Sequence, residues 1–143
     1  MNNLITNLMA AYAELNTHNI DRLEPLYDDN VVFQDPASRI SGRTEMLDHF
    51  RSAYENVTYC TFNFDLRQCD VQDTRAYLVW QMDYAHKKLN GGDRALVDGI
   101  SLLEYGHQIT LHRDWFDLGQ MVYENLPAMG RLIQVLKNKI SAH

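Results

Sequence analysis

Two cysteines, three prolines and seven glycines in 143 residues leave nothing from which to build a disulfide scaffold, a collagen-like repeat or a Pro-rich linker. Cys60 and Cys69 lie in what reads as extended chain. Their odd offset puts them on opposite strand faces, about 30 Å apart at the strand rise, so two reduced thiols are expected. Long apolar runs are also missing. No stretch approaches the ~18 residues of a membrane span, and Met1-Asn2-Asn3-Leu4-Ile5 lacks the basic and apolar regions of a secretory leader. Basic charge is short as well, with 13 Lys and Arg against 19 Asp and Glu and a net charge of −6, which argues against a nucleic-acid surface. Metal-ligand spacing is absent. His107 and His112 fall on opposite faces, His49 and His86 have no partner at ligand spacing, and neither cysteine sits in a CxxC. Gly91-Gly92 has no following helix and no P-loop lysine. The expectation is a cytoplasmic protein with no metal and no cofactor, which binds neither nucleic acid nor membrane.

What is present describes one folded domain over residues 1–143. Hydrophobic residues are 45% and charged residues 22%, and a chain of this size buries roughly 68–70% of its unfolded surface. Leu4, Leu8, Ala11, Tyr12 and Leu15 form a helical stripe that Asn2 or Asn3 caps. Asp21-Arg22-Leu23-Glu24 reads as a capping box for a short second helix, with Pro25 near its first turn. Val31-Val32-Phe33 is a short strand that stops at Asp35-Pro36. A third helix spans about 44–56 with Leu47, Phe50 and Tyr54 on one face.

Beyond it the period changes to 2. Cys60, Phe62, Phe64 and Leu66 alternate with Tyr59, Thr61, Asn63 and Asp65. In the next run Tyr77, Val79, Gln81, Asp83 and Ala85 share one face, and Leu78, Trp80, Met82 and Tyr84 the other. Asn90-Gly91-Gly92-Asp93 is a hairpin signal because its glycines accept positive φ. Strands over about 94–105 and 108–116 follow. A C-terminal helical extension over about 117–143 carries the stripe Met129, Leu132, Ile133, Leu136 and Ile140. Helices segregated from a run of long antiparallel strands make an α+β domain. Strands this long curl, and three N-terminal helices across the concave face enclose a cone-shaped cavity.

The motifs Tyr12-Ala13-Glu14-Leu15-Asn16, Leu26-Tyr27-Asp28-Asp29-Asn30-Val31, Ser41-Gly42-Arg43 and His112-Arg113-Asp114-Trp115-Phe116-Asp117 resemble the nuclear transport factor 2-like superfamily. Within it the sequence is most similar to the SnoaL-like polyketide cyclases and the limonene epoxide hydrolases. The resemblance covers about residues 4–118. It implies a strongly curved sheet wrapped by three helices (a cystatin-like α+β barrel), a deep pocket for a small apolar molecule, and a homodimer through the outer sheet face. The two acids of the epoxide hydrolases correspond to Asp83 and Asp114. Gln81 stands where those enzymes have an arginine, and Phe33 and Asp35 stand at their tyrosine and asparagine positions. In the ketosteroid isomerase pattern Asp35-Pro36 matches the proton shuttle, Tyr12 lies one residue from the tyrosine position, and Ser101 lies near the second acid, with Asp98 close by. The SnoaL-like cyclases use one aspartate as acid or base in an apolar pocket, which Asp35, Asp83 or Asp114 satisfies.

A carboxylate in a water-poor cavity has its charged form destabilised and becomes able to shuttle a proton near neutral pH. Gln81 and Asp83 share a strand face about 7 Å apart, and Asp114 reaches the same cavity from a neighbouring strand if the resemblance holds. His112 shares the face of Asp114, and Phe33 and Phe116 add aromatic bulk nearby. The expected site therefore joins the acids Asp83, Asp114 and Asp35 to the binding residues Gln81, Phe33, Tyr12, Ser101, His112 and Phe116. Each acid also has a plainer reading, an ion pair with an arginine or, for Asp35, a turn cap. Leu78, Trp80, Met82 and Tyr84 are either core under a helix or the dimer face, and the resemblance favours the dimer. Two kinds of function follow: cofactor-free acid–base catalysis of the isomerase, cyclase or hydrolase type on a small cyclic molecule, or a ligand-binding or dimeric accessory module of the same fold.

Overall fold

A computed structural model describes residues 2–119 and 135–141. Helix α1, Asn3–Ala13, starts where Asn2 Oδ1 accepts from the amides of Leu4 and Ile5 at 2.8 and 3.4 Å. It buries Ile5, Leu8, Ala11 and Tyr12. The expected second helix is a 3-10 helix over Ile20–Leu26, preceded by Asn19 without a side-chain cap bond. It contains Pro25, whose missing N–H and ring disfavour a regular α-helix at that point. Helix α2, Arg43–Tyr54, buries Met46, Leu47 and Phe50.

The strands are β1 (Tyr27–Gln34), β2 (Arg39–Ser41), β3 (Val57–Phe64), β4 (Asp70–Val71), β5 (Arg75–His86), β6 (Ala95–Tyr105) and β7 (Ile109–Phe116). They form one curved, unclosed sheet in the order β2-β1-β7-β6-β5-β3, with β4 also paired to β5. The sheet is antiparallel except at β1–β7, which run parallel with Phe33 opposite His112. Parallel neighbours need a long crossover, and here it is nearly the whole domain. This pairing also extends β1 back to Tyr27, well before the expected Val31. Asn90, Gly91 and Gly92 all take positive φ, at 52°, 62° and 84°, to turn β5 into β6.

The helices α1 and α2 pack against β3 and β1 and close one side of the sheet. The core beneath them includes Tyr27, Phe33, Leu78, Leu103 and Ile109. Cys60 and Cys69 are free thiols. Residues 135–141 are helical, and Lys137 Nζ lies 2.6 Å from Asp117 Oδ2. The expected stripe positions Met129, Leu132 and Ile133 lie outside the described residues. No helix among the described residues is long and apolar enough to cross a membrane.

Candidate functional site

Strand β5 decides what enters the concave side. Leu78, Trp80 and Tyr84 are buried, and Met82 lines the cavity on that side. Tyr77, Gln81 and Asp83 face the other way. Leu78, Trp80, Met82 and Tyr84 therefore belong to the interior and not to the outer face expected for a dimer. A period of 2 admits only two choices, and turning the set outward would expose four large apolar side chains to bury two polar ones. Asp83 is held by Arg94 through both carboxylate oxygens, which keeps its carboxyl below the usual carboxylate range. Gln81 Nε2 donates to Asp98 Oδ1 at 3.2 Å. Neither Gln81 nor Asp83 lines the cavity, so the expected Asp83–Asp114 pair is not assembled.

The cavity has a volume of about 300 Å³. Its walls are mostly aromatic, among them Tyr12, Phe33, Phe62, Trp80 and Phe116, which brings three expected binding residues, Tyr12, Phe33 and Phe116, together with Phe62 and Trp80. Asp114 enters from β7 and Asp35 from the loop after β1. The Oδ1 of Asp35 accepts from the amides of Ala37 and Ser38, each at 2.8 Å, so this acid braces its own turn. His49, Tyr54, Cys60 and His86 also line the cavity. Burial pushes the Cys60 thiol up to about 11 and raises the Tyr54 phenol.

Asp114 sits on a connected chain of hydrogen bonds. Its Oδ1 accepts from Ser101 Oγ at 2.5 Å and is 2.7 Å from His112 Nε2. Ser101 Oγ in turn accepts from Trp80 Nε1 at 2.9 Å. On the far side of the imidazole, His112 Nδ1 is 2.7 Å from Tyr27 Oη, which is 2.8 Å from Tyr12 Oη. The Tyr27 and His112 rings are nearly parallel, 9° apart with centroids at 5.9 Å. His112 and Ser101 are buried, and the Asp114 side chain is 18% exposed. Asp114 Oδ2 has no hydrogen bond among the described residues. Burial, with the negative charge of Asp114 adding to it, drives the Tyr12 phenol far above its ordinary value, and Tyr27 is driven up likewise. Both are therefore neutral phenols that keep their hydrogen.

These directions come from the strands. On β7, His112, Asp114 and Phe116 alternate with outward Arg113 and Trp115, whose guanidinium and indole stack at 4.3 Å. Ser101 lies directly opposite Asp114 on β6. Sequence reasoning named Tyr12, Ser101, His112 and Asp114 but missed Tyr27 as a site residue and misplaced Trp80. Tyr27 carries no local sign of its role, because its partner His112 is 85 positions away.

The sequence over residues 8–112 matches the family model of the SnoaL-like domain. No curated protein matches the chain. Among solved structures, a protein with a ketosteroid isomerase-like fold from Catenulispora acidiphila, in complex with trimethylamine, superposes with a TM-score of 0.69 at 16% identity, covering 82% of this chain and 88% of that one. A protein assigned as a SnoaL-like polyketide cyclase from Shewanella putrefaciens gives a TM-score of 0.68 at 16% identity, over 82% and 80% of the two chains. An LEH-like epoxide hydrolase of M. tuberculosis gives 0.64 at 17% identity, over 92% of each chain. At these identities the likeness is one of fold.

Proposed function

Since the chain belongs to the SnoaL-like domain family, and one carboxylate stands braced in an aromatic cavity, we propose that Asp114 is a general base acting without a cofactor on a small, largely apolar molecule. One observation carries this reading. Asp114 Oδ1 is fixed by Ser101 and His112, while Oδ2 of this cavity-lining residue is left without a partner among the described residues. An anchored carboxylate with a spare oxygen is oriented to take a proton. The cavity volume suits a one- or two-ring compound.

The test is turnover of a panel of cyclic apolar carbonyl compounds and epoxides by the wild-type protein and by Asp114→Asn. Loss of roughly 10²-fold or more in kcat, with melting unchanged, is the expected result. Equal turnover by the two proteins would end the reading.

A second reading, a module that holds a ligand unchanged, is favoured by the same walls. One carboxylate among tyrosine, phenylalanine and tryptophan rings is also a setting for a small organic cation, and the Catenulispora neighbour is a complex with trimethylamine. Calorimetry with trimethylammonium separates the two: tight binding lost in Asp114→Asn, with no turnover of the panel, selects the binder.

The partner that fits the convex face is a second copy of the chain. Val79, Ile100 and Trp115 are in register across β5, β6 and β7, and Tyr77, Leu96, Ile100 and Trp115 are each 40–50% exposed. An apolar patch of this kind is a liability on a monomer. Sedimentation of wild type and Ile100→Asp reads it directly: a dimer that the substitution dissociates is expected, and a wild-type monomer refutes it.

A further inference from the structure

Strand β5 lines the cavity lengthwise. Trp80, Met82, Tyr84 and His86 are alternate residues of the strand, and all four line the space. The run from Trp80 to His86 covers about 20 Å at the strand rise, so the space is longer than a single ring. Its character changes from end to end. Trp80 and Tyr84 are buried, His86 is half-buried, and Lys87 and Lys88 beyond it are exposed. The acids Asp35 and Asp114 enter from the β1–β7 side of the sheet, with β6 between that side and β5.

At the outer end the polar groups are donors. His86 Nδ1 accepts from the Lys88 amide at 3.1 Å, which places the ring hydrogen on Nε2. That Nε2–H has no hydrogen-bond partner among the described residues. Val57 and Leu89, which line the cavity beside it, have only apolar side chains. Lys87 and Lys88 form no ion pair among the described residues, although the chain's net charge is −6. By contrast Arg22, Arg43, Arg51, Arg75 and Arg94 all have acidic partners. Glu55 and Asp93, the acids of the flanking turns, are exposed and do not line the cavity. A fixed N–H donor beside two unpaired ammonium groups suits a carboxylate, which accepts from both kinds of group. A neutral ligand atom gains only the imidazole bond, and an organic cation is repelled at this end.

We infer that the outer end of the cavity is an anion subsite, where His86 Nε2 with Lys87 and Lys88 receives the carboxylate of an apolar monocarboxylic acid whose body lies along Tyr84, Met82 and Trp80. This rests on the reading of the cavity as a small-molecule site, and it does not require Asp114 to act as a base. No Lys or Arg among the described residues lines the cavity itself, so His86 fixes the position of the carboxylate and the lysines act from the rim through charge.

Calorimetry compares three ligands that share one chain and differ in head group: decanoate, 1-decanol and decyltrimethylammonium. Decanoate binds the wild-type protein roughly tenfold or more tightly than either of the others, as a hydrogen bond to a charged group requires. His86→Phe keeps a ring and removes the donor, and it brings decanoate down to the affinity of decanol. Lys87→Gln/Lys88→Gln weakens decanoate about two- to fivefold and reduces its salt dependence, with decanol unaffected. Both lysines are exposed, so this variant tests the subsite even where His86→Phe does not fold. Asp114→Asn binds decanoate as the wild type does, which separates the subsite from the base. Equal affinity for decanoate and decanol, or tighter binding of decyltrimethylammonium, would overturn the anion subsite. Wild-type decanoate affinity in both His86→Phe and Lys87→Gln/Lys88→Gln would overturn its assignment to these residues. No binding of any of the three would overturn the apolar carboxylate as ligand, whereas the turnover panel reads Asp114 by itself.

Discussion

Gly99 lies beneath the indole of Trp80. The two residues face each other across β5 and β6, and a Cβ built on Gly99 would overlap the six-membered ring. The missing side chain lets the indole lie across β6 and reach Ser101 with its N–H. Gly99→Ala displaces Trp80 from the cavity wall. The expected cost is about 1–3 kcal/mol of stability, the range for overpacking a core, with a shift in tryptophan emission. Urea denaturation followed by fluorescence measures both.

Ser101 joins the wall to Asp114, the proposed base. Removing its hydroxyl in Ser101→Ala leaves the Trp80 N–H without its acceptor and takes one of the two donors from Asp114 Oδ1. A buried donor left unpaired costs about 1–3 kcal/mol. Turnover by the acid–base route falls at the same time, whereas an accessory role for the fold predicts the stability change alone. Thermal melts and kcat on the same preparation distinguish these outcomes.

Asp83 and Arg94 provide the converse test. Asp83→Asn leaves cavity chemistry unchanged, because the pair lies on the other face of the sheet. Arg94 holds the folded-state carboxyl of Asp83 below its ordinary value, so the stabilisation is present above the unfolded value and is lost as pH falls through the folded one. The stability difference between wild type and Asp83→Asn therefore stays constant from neutral pH down to about 4 and shrinks below that. Denaturant titrations at stepped pH values check the trend.

Cys60 reports on the cavity from within. Its thiol, raised to about 11 by burial, is protonated at neutral pH and reacts slowly with iodoacetamide. A ligand in the cavity slows the reaction further. The raised value also means that Cys60 favours the folded state fully below the unfolded thiol value, near 9, and that this support fades as pH rises from there to about 11. Mass spectrometry of timed alkylation, with and without ligand, measures the protection.

Much of this site was written in alternation and in family resemblance, and the failures have two causes. His112, Asp114 and Phe116 share a face by period, and that face turned inward as expected. On β5 the same period separated Gln81 and Asp83 from Trp80 and Tyr84, but periodicity does not say which set is buried. The apolar bulk of the second set was the better guide, and the correspondence of Asp83 to a catalytic acid pointed the wrong way. The start of β1 and the role of Tyr27 were hidden for another reason. Both depend on pairing with β7, and no local pattern encodes a partner that far along the chain.

That parallel seam has a temporal meaning. Tyr27 meets Ile109, and Phe33 meets His112, so neither the cavity nor its hydrogen-bonded chain exists until the strand ending at Phe116 has been made and docked. The hairpins of β5, β6 and β7 join near neighbours, whereas the closure of β1 onto β7 spans most of the domain and carries the largest loop-closure entropy. During synthesis on the ribosome the site is therefore assembled late, when β1 finds β7.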